Sequence, residues 1–224
     1  MTDSTARPRR FDLVVFDWDG TLFDSTALIV HSIQAACRDL GLPVPDDERA
    51  SWVIGLSLRS AMEHAVPGIA PEQIAQMVDR YRFHYLARQH DLTLFPGVLE
   101  MLHALKRRHH WLAVATGKSR AGLDEALRTV ELKGLFDGTR TADETRSKPD
   151  PQMLNELMRQ FGIEPDRTLM IGDTTHDLQL AANAGTPSIA VAYGAHPGSE
   201  FATHSPLIVA NTVAELAAWL EAHA

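Results

Sequence analysis

Leu13-Val14-Val15-Phe16-Asp17-Trp18-Asp19-Gly20-Thr21-Leu22 is the stretch that decides the fold. Its four opening apolar residues predict a strand buried on both faces, as in a parallel sheet covered by helices. Two carboxylates follow at once. In open parallel sheets ligands bind in the crevice at the carboxyl ends of the strands, which is where Asp17 and Asp19 would emerge. Two acids two residues apart repel unless a cation lies between them, and Mg²⁺ is commonly held by one or two carboxylates together with a substrate phosphate. The stretch therefore points to phosphoryl chemistry. Alone it also suits an ordinary turn or helix cap, the commoner use of Asp before Gly; three further segments shift the balance.

Composition narrows the field first. With 224 residues, 45% of them hydrophobic, the chain can bury one good core and a small second one. A formal charge of −8 without a sustained basic stripe argues against a nucleic-acid partner. Arg7, Arg9 and Arg10 around Pro8, and Lys106-Arg107-Arg108 at the end of a predicted helix, read as solvated surface. Cys37 shares a helical face with Ile33, Ala36 and Leu40 and reads as core, and a lone cysteine forms no intrachain disulfide. The sequence shows neither a signal-type apolar segment nor a run long enough to span a bilayer, so the expectation is a reduced, cytoplasmic setting without a membrane partner. No motif bears on oligomeric state.

Along the chain, short β-rich runs alternate with helical patterns, the signature of a parallel sheet with helices on both faces. Strands are expected at 13–16, 112–115, 168–171 and 189–192, with a weaker edge strand at 207–209. Between the first two lies an interruption. From about residue 25 to 94 the pattern is helical, with Leu28, Ile29, Ile33, Ala36, Cys37 and Leu40 on one face and Ile74, Met77, Val78, Tyr81 and Tyr85 on another. Gly41, Pro43 and Pro45 break the first helix, Pro67-Gly68 and Pro71 bracket a turn, and Pro96-Gly97 marks the return to the sheet. The expected architecture is an α/β core from 11–24 and 95–224, with a small all-helical cap, 25–94, inserted after the first strand. A closing amphipathic helix at 213–223 would pack Leu216 and Leu220 on the sheet.

The second chemical segment is Thr116-Gly117-Lys118, where a strand-like run ends before a helical pattern at 120–130. A hydroxyl and backbone amides there make a phosphate-binding corner, although N-capping by Thr116 or Ser119 is the plainer reading. The third is Lys148-Pro149-Asp150-Pro151. Pro149 restricts the backbone of Lys148 and Pro151 can open a helix at 152–161, so the ammonium is a cation at a fixed position, suited to a phosphoryl oxygen. A surface lysine is the plainer alternative. The fourth, Gly172-Asp173-Thr174-Thr175-His176-Asp177, again places acids after an apolar run, Leu169-Met170-Ile171. If the helix starts near Thr174, Asp173 and Asp177 can share a face or cap successive amides. His176 is not needed as a ligand, because an oxygen-rich acidic site suits Mg²⁺ rather than imidazole-preferring metals.

In this order and spacing the four segments resemble the haloacid dehalogenase superfamily of phosphohydrolases. Asp17-Trp18-Asp19-Gly20-Thr21-Leu22 fits its DxDGT motif, Thr116 its strand-end hydroxyl, Lys148 its phosphate lysine, and Gly172-Asp173 with Asp177 its acidic final motif. The resemblance covers nearly the whole chain, and the insertion after the first motif looks like the cap of the phosphoglycolate-phosphatase-like branch. It implies a Rossmann-like core, Asp17 as nucleophile forming an aspartyl phosphate, and Asp19 as general acid and then base. It further implies Mg²⁺ held by Asp17, the backbone carbonyl of Asp19 and Asp173, with Asp177 a ligand through water or an orienting group. Thr116, the Gly117 amide and Lys148 would bind the phosphoryl oxygens. Dehalogenases of the superfamily have no need of an acid at position 19, so Asp19 favours phosphorus over carbon. Mutases resembling β-phosphoglucomutase share all four motifs but carry a cap histidine at the position of Ile29 and read DGV at Gly20-Thr21; His31 keeps that alternative open, and a non-catalytic phosphate-binding relative is a further one. In the segment Gly55-Leu56-Ser57-Leu58-Arg59, Arg59 is the candidate for a substrate carboxylate or second phosphate, against a helix-surface role. The expected reaction is Mg²⁺-dependent hydrolysis of a small anionic phosphomonoester, with 2-phosphoglycolate the first candidate.

Overall fold

The computed structural model describes residues 9–128, 132 and 134–224; Arg7, Pro8 and Val130 lie outside them. Six parallel strands form one sheet: β1 (Leu13–Phe16), β2 (Trp111–Thr116), β3 (Gly138–Thr141), β4 (Thr168–Gly172), β5 (Ser188–Val191) and β6 (Val209–Ala210), in the spatial order β3-β2-β1-β4-β5-β6. The chain moves outward from β1 to β3 on one side, then restarts at β4 on the other. The reversal falls between β1 and β4, the point where such sheets open their ligand crevice.

The alternation of side chains along each strand divides the core. Val14, Phe16, Val114, Leu169, Ile171, Ile189 and Val191 face one side, beneath α5 (Val98–Arg107), α6 (Arg120–Arg128) and α9 (Val213–His223). Leu13, Val15, Ala113, Ala115 and Met170 face the other, beneath α7 (Gln152–Phe161) and α8 (Thr175–Ala184). Both faces are apolar because both are covered, which is why β1 reads as an unbroken hydrophobic run.

Four helices intervene between β1 and α5: α1 (Thr26–Asp39), α2 (Asp47–Trp52), α3 (Leu58–Ala65) and α4 (Pro71–Arg88). They share an apolar cluster of their own, including Ile29, Ile33, Cys37, Val53, Met62, Ile74 and Met77. Cys37 is fully buried, 3.9 Å from the Met77 sulfur. An isolated bridge between Phe23 and Leu94 ties together the two chain segments leading into and out of these helices.

Strand boundaries differ from the sequence pattern where polarity misleads. β3 was not expected, because Gly-Thr-Arg-Thr has no apolar residue and only Thr141 is buried. It exists by pairing with β2, Gly138 lying opposite Ala113 and Thr141 opposite Thr116. The edge strand falls at Val209–Ala210 rather than 207–209, with Leu207 left exposed. Lys106 is not simply solvated: its ammonium donates to both oxygens of Asp137 at 2.8 Å.

Candidate active site

Three strand ends meet at the crevice. Asp17 follows β1, Thr116 ends β2, and Asp173 follows β4. Parallel pairing of β1 with β4 sets Phe16 beside Ile171 and so brings the two acids together. Asp177 joins them from the first turn of α8. It closes a capping box: its backbone N–H lies 3.4 Å from the Thr174 hydroxyl oxygen, while its own Oδ2 accepts from the Thr174 amide at 3.2 Å and hydroxyl at 2.7 Å. The nearest carboxylate oxygens of Asp17, Asp173 and Asp177 all lie within 4.8 Å of one another, and all three residues are fully buried.

Such a cluster needs positive charge. Lys148 supplies part of it. Its ammonium, buried rather than on the surface, donates at 2.6 Å to Asp17 Oδ1 and at 2.6 Å to Asp177 Oδ1. Burial opposes its charge, but Asp17 and Asp177 outweigh burial and hold its pKa above the usual lysine range. Burial, with Asp177 and Asp173 adding to it and Lys148 opposing, pushes the Asp17 carboxyl well above the ordinary range. Burial and Asp177 push Asp173 up to about 7.

The remaining oxygens show whether the cluster suits a metal. Asp173 accepts from the Thr21 hydroxyl and from the Ala195 amide, each at 2.7 Å. Both oxygens of Asp177 are engaged. Asp17 Oδ2 is buried without a hydrogen-bond partner. An orphaned carboxylate oxygen inside a three-acid cluster fits a hard, oxygen-seeking divalent cation. Asp17, Asp173 and Asp177 each present one carboxylate oxygen to such a cation. The Asp19 carboxylate stands outside this group, leaving its backbone carbonyl as the candidate ligand. Mg²⁺ is expected to raise the melting temperature, adding about 2.7 kcal/mol at 100 times its Kd. The gain should be larger at pH 8 than at pH 6, because below about 7 the cation must displace a proton from Asp173. Thermal unfolding with Mg²⁺ or chelator at both pH values tests this; no Mg²⁺ effect at either would remove the acids from metal binding.

Asp19 has its own surroundings. Its Oδ1 accepts from the Ser25 hydroxyl at 2.7 Å and lies 3.1 Å from the Lys118 ammonium. Sequence reading passed over both partners. Ser25 stands at the N-cap of α1, where a hydroxyl ordinarily caps, yet makes no capping bond because it serves Asp19. At the next corner the capping of α6 falls to Ser119, whose hydroxyl accepts from the Gly122 amide at 3.3 Å. The Thr116 hydroxyl accepts instead from the Lys118 amide at 3.2 Å.

Residues 52–57, from the end of α2 to the start of α3, pack against the rim of this crevice. A side chain at Gly117 would collide with the backbone carbonyls of Gly55 and Leu56, so the position requires glycine for close approach. The Ser57 amide donates to the Ser147 hydroxyl at 2.8 Å. The Trp52 carbonyl accepts from His176 Nε2 at 2.9 Å and from His196 Nε2 at 3.0 Å. His176 thus meets the inserted helices, with burial pushing its pKa down to about 4. At Gly20 the backbone takes φ of +79°, and a side chain there would collide with the Asp173 carboxylate, so glycine fits at little cost where other residues would not.

Arg59 takes the helix-surface role, one of the two its sequence left open. Its side chain is 67% exposed and pairs with Glu63 at 3.1 Å along α3, the ordinary i,i+4 arrangement of a helix surface. Among the described residues, no hydrogen bond or ion pair joins it to the acidic cluster. His110, just before β2, is buried with Nδ1 2.9 Å from the Phe11 carbonyl.

A parallel sheet with this strand order, acids at the ends of β1 and β4 and a buried lysine joining Asp17 to Asp177, defines a hydrolase of the haloacid dehalogenase type. The chain belongs to that family: the model described as haloacid dehalogenase-like hydrolase matches residues 14–191. The chain is 35% identical to "Probable phosphatase IndB" of Dickeya dadantii, over 91% of each chain. It is 30% identical to a phosphoglycolate phosphatase of Mannheimia succiniciproducens, over 92% of this chain and 97% of that one. A 5'-nucleotidase of Pseudomonas aeruginosa is 31% identical over 96% of this chain and 97% of its own. Among solved structures, a predicted phosphatase from Clostridium acetobutylicum superposes with a TM-score of 0.83 at 26% identity, over 95% of this chain and 99% of that one. The chain falls in the branch that includes phosphoglycolate phosphatases. Among the described residues, no helix is long and apolar enough to cross a membrane.

Proposed function

We propose that the chain is a Mg²⁺-dependent phosphomonoesterase that acts on a small anionic metabolite through an aspartyl phosphate on Asp17, with 2-phosphoglycolate as the first candidate substrate. The orphaned oxygen of Asp17, inside a buried cluster with Lys148 at its edge, carries this reading. Similarity to a phosphoglycolate phosphatase supports the choice of substrate.

An oxygen of Asp17 attacks the substrate phosphorus as the phosphorus–ester oxygen bond breaks, and Asp19 gives its proton to the departing alkoxide. Asp19 then takes a proton from water as that water attacks phosphorus. The bond from phosphorus to Asp17 breaks and inorganic phosphate leaves. Thr116, the Gly117 amide and Lys148 hold the phosphoryl oxygens, while Ser25 orients Asp19. Mg²⁺, when held by Asp17, Asp173 and the Asp19 carbonyl, supplies charge neutralisation for the acids and the phosphoryl group. The helices of 25–94 act as a cap over the core of 11–24 and 95–224, excluding water and positioning the leaving group. A cytoplasmic location accords with a small-metabolite substrate.

The mutase alternative finds no support in the cap: Ile29, where those mutases carry histidine, is buried among apolar side chains, and His31 is exposed. The test is phosphate release from 2-phosphoglycolate, pyrophosphate, nucleotides and sugar phosphates, with Mg²⁺ or chelator. Metal-dependent turnover of one class is expected, with Asp19→Asn lowering kcat about 10²- to 10⁴-fold. Silence across the panel from folded, Mg²⁺-binding protein would overturn the reading.

A further inference from the structure

Lys118 is the second buried cation at the crevice, and the reaction outlined above does not use it. It follows the Thr116-Gly117 corner, yet its ammonium is directed away from the three-acid cluster and towards the inserted helices. It lies 3.1 Å from Asp19 Oδ1, donates to the Tyr85 hydroxyl of α4 at 3.0 Å, and sits 4.8 Å from the centre of the Tyr85 ring. Its side chain is only 12% exposed. Burial opposes the charge, and Asp19, Tyr85 and Tyr81 outweigh it, so the group remains a cation.

We infer that Lys118, backed by Tyr85, is the subsite for a carboxylate carried by the leaving alcohol, next to the carbon that bears the ester oxygen. This rests on the phosphatase reading for the role of Asp19. If Asp19 protonates the ester oxygen, that oxygen lies within about 3 Å of the carboxylate. The ammonium is a further 3.1 Å from Asp19 Oδ1, so ester oxygen and ammonium are separated by at most roughly 6 Å when they share that oxygen. A carboxylate on the adjacent carbon reaches about 3 Å from the ester oxygen by its own bond lengths, leaving one hydrogen bond to the ammonium. Longer or uncharged leaving groups do not match that span. An ammonium has three donors. Asp19 and Tyr85 take two among the described residues, and the third is available to a ligand.

The chemistry also explains why the cation comes from the core rather than from Arg59. A guanidinium two-thirds exposed on α3 is screened by water. A buried ammonium acts in lower dielectric and discriminates charge more strongly. Tyr85 sits on the opposite wall, so an anion bound to Lys118 also meets the helix that closes the site.

The decisive comparison uses two substrates with the same two-carbon skeleton, 2-phosphoglycolate and ethyl phosphate, which differ in carboxylate against methyl. Wild-type protein with Mg²⁺ is expected to favour 2-phosphoglycolate at least 100-fold in kcat/KM. Lys118→Met should lower that substrate about 100-fold, mostly through KM, and ethyl phosphate less than fivefold. Lys118→Arg should keep most of the preference, which guards against a Met variant that fails to fold. A parallel fall on both substrates would show that Lys118 serves Asp19 or the fold and would overturn the subsite, as would a wild type without preference. If neither substrate is turned over, 2-phosphoglycolate is not the substrate and the wider panel decides the phosphatase reading, while calorimetric titration still judges the subsite. Tighter binding of 2-phosphoglycolate than ethyl phosphate by tenfold or more, erased in Lys118→Met, upholds it; equal affinities reject it.

Discussion

Asp17→Asn is expected to abolish phosphate release, lowering kcat about 10⁴-fold or more, roughly 5.5 kcal/mol of transition-state stabilisation, without lowering the melting temperature in chelator. The two halves of this expectation have one cause. Asp17 is the acid whose second oxygen has no partner, at the carboxyl end of β1, where the strand order reverses between the paired neighbours β1 and β4. An amide there keeps the shape and removes the nucleophile. Stability should hold because the carboxylate is costly in the metal-free protein. Burial and the charges of Asp177 and Asp173 push its pKa up, so its ionised form is disfavoured in the folded state. The amide loses attraction to Lys148 but sheds that repulsion, and Lys148 keeps Asp177. Kinetics and thermal unfolding on the same preparation check both halves. Residual turnover within tenfold of wild type would assign the nucleophile elsewhere.

What was readable in advance follows a physical division. β1 and β4 were legible because they are central, buried on both faces and followed by acids, so composition and position carry the same message. α9 was legible to the residue because its apolar spacing faces the sheet. β3 was not, since an edge strand of Gly-Thr-Arg-Thr is specified by its neighbour rather than by its own side chains. The same division runs through the site. Asp17 and Asp173 stand in short motifs at strand ends and Lys148 in a short motif on the loop before α7, and the sheet brings them together. Ser25 and Lys118 depend on partners that local sequence does not reveal. Ser25 looks like a helix cap until Asp19 is seen to take its hydroxyl. Lys118 acquires its place from Tyr85, 33 residues earlier on an inserted helix. Arg59, for which the sequence left a substrate contact and a helix-surface role both open, depends on the same kind of non-motif information: only its pairing with Glu63 one turn on shows the surface role.

The electrostatics of the cluster yield the larger effect on stability. Lys148→Met should destabilise the metal-free protein by about 3–5 kcal/mol at pH 8. It removes the ammonium that lies 2.6 Å from both Asp17 and Asp177 and leaves three buried acids facing one another. The loss should shrink as pH falls towards 6. Asp17 and Asp173 have folded-state pKa values raised above the ordinary 3.8, Asp173 to about 7, so the folded state binds more protons than the unfolded one in that window. Stability then falls as pH rises through it. Without Lys148, which lowers both groups, the window extends upward and the slope steepens. Mg²⁺ should restore much of the loss at pH 8, because it places positive charge in the same cluster. Turnover should nonetheless stay depressed roughly 10²- to 10³-fold with saturating Mg²⁺, since the phosphoryl oxygens lose a fixed cation that the metal does not replace. Denaturant unfolding at pH 6 and 8, with and without Mg²⁺, separates this account from a packing one. A loss of equal size in all four conditions would mean that the side chain of Lys148 fills space rather than balancing charge.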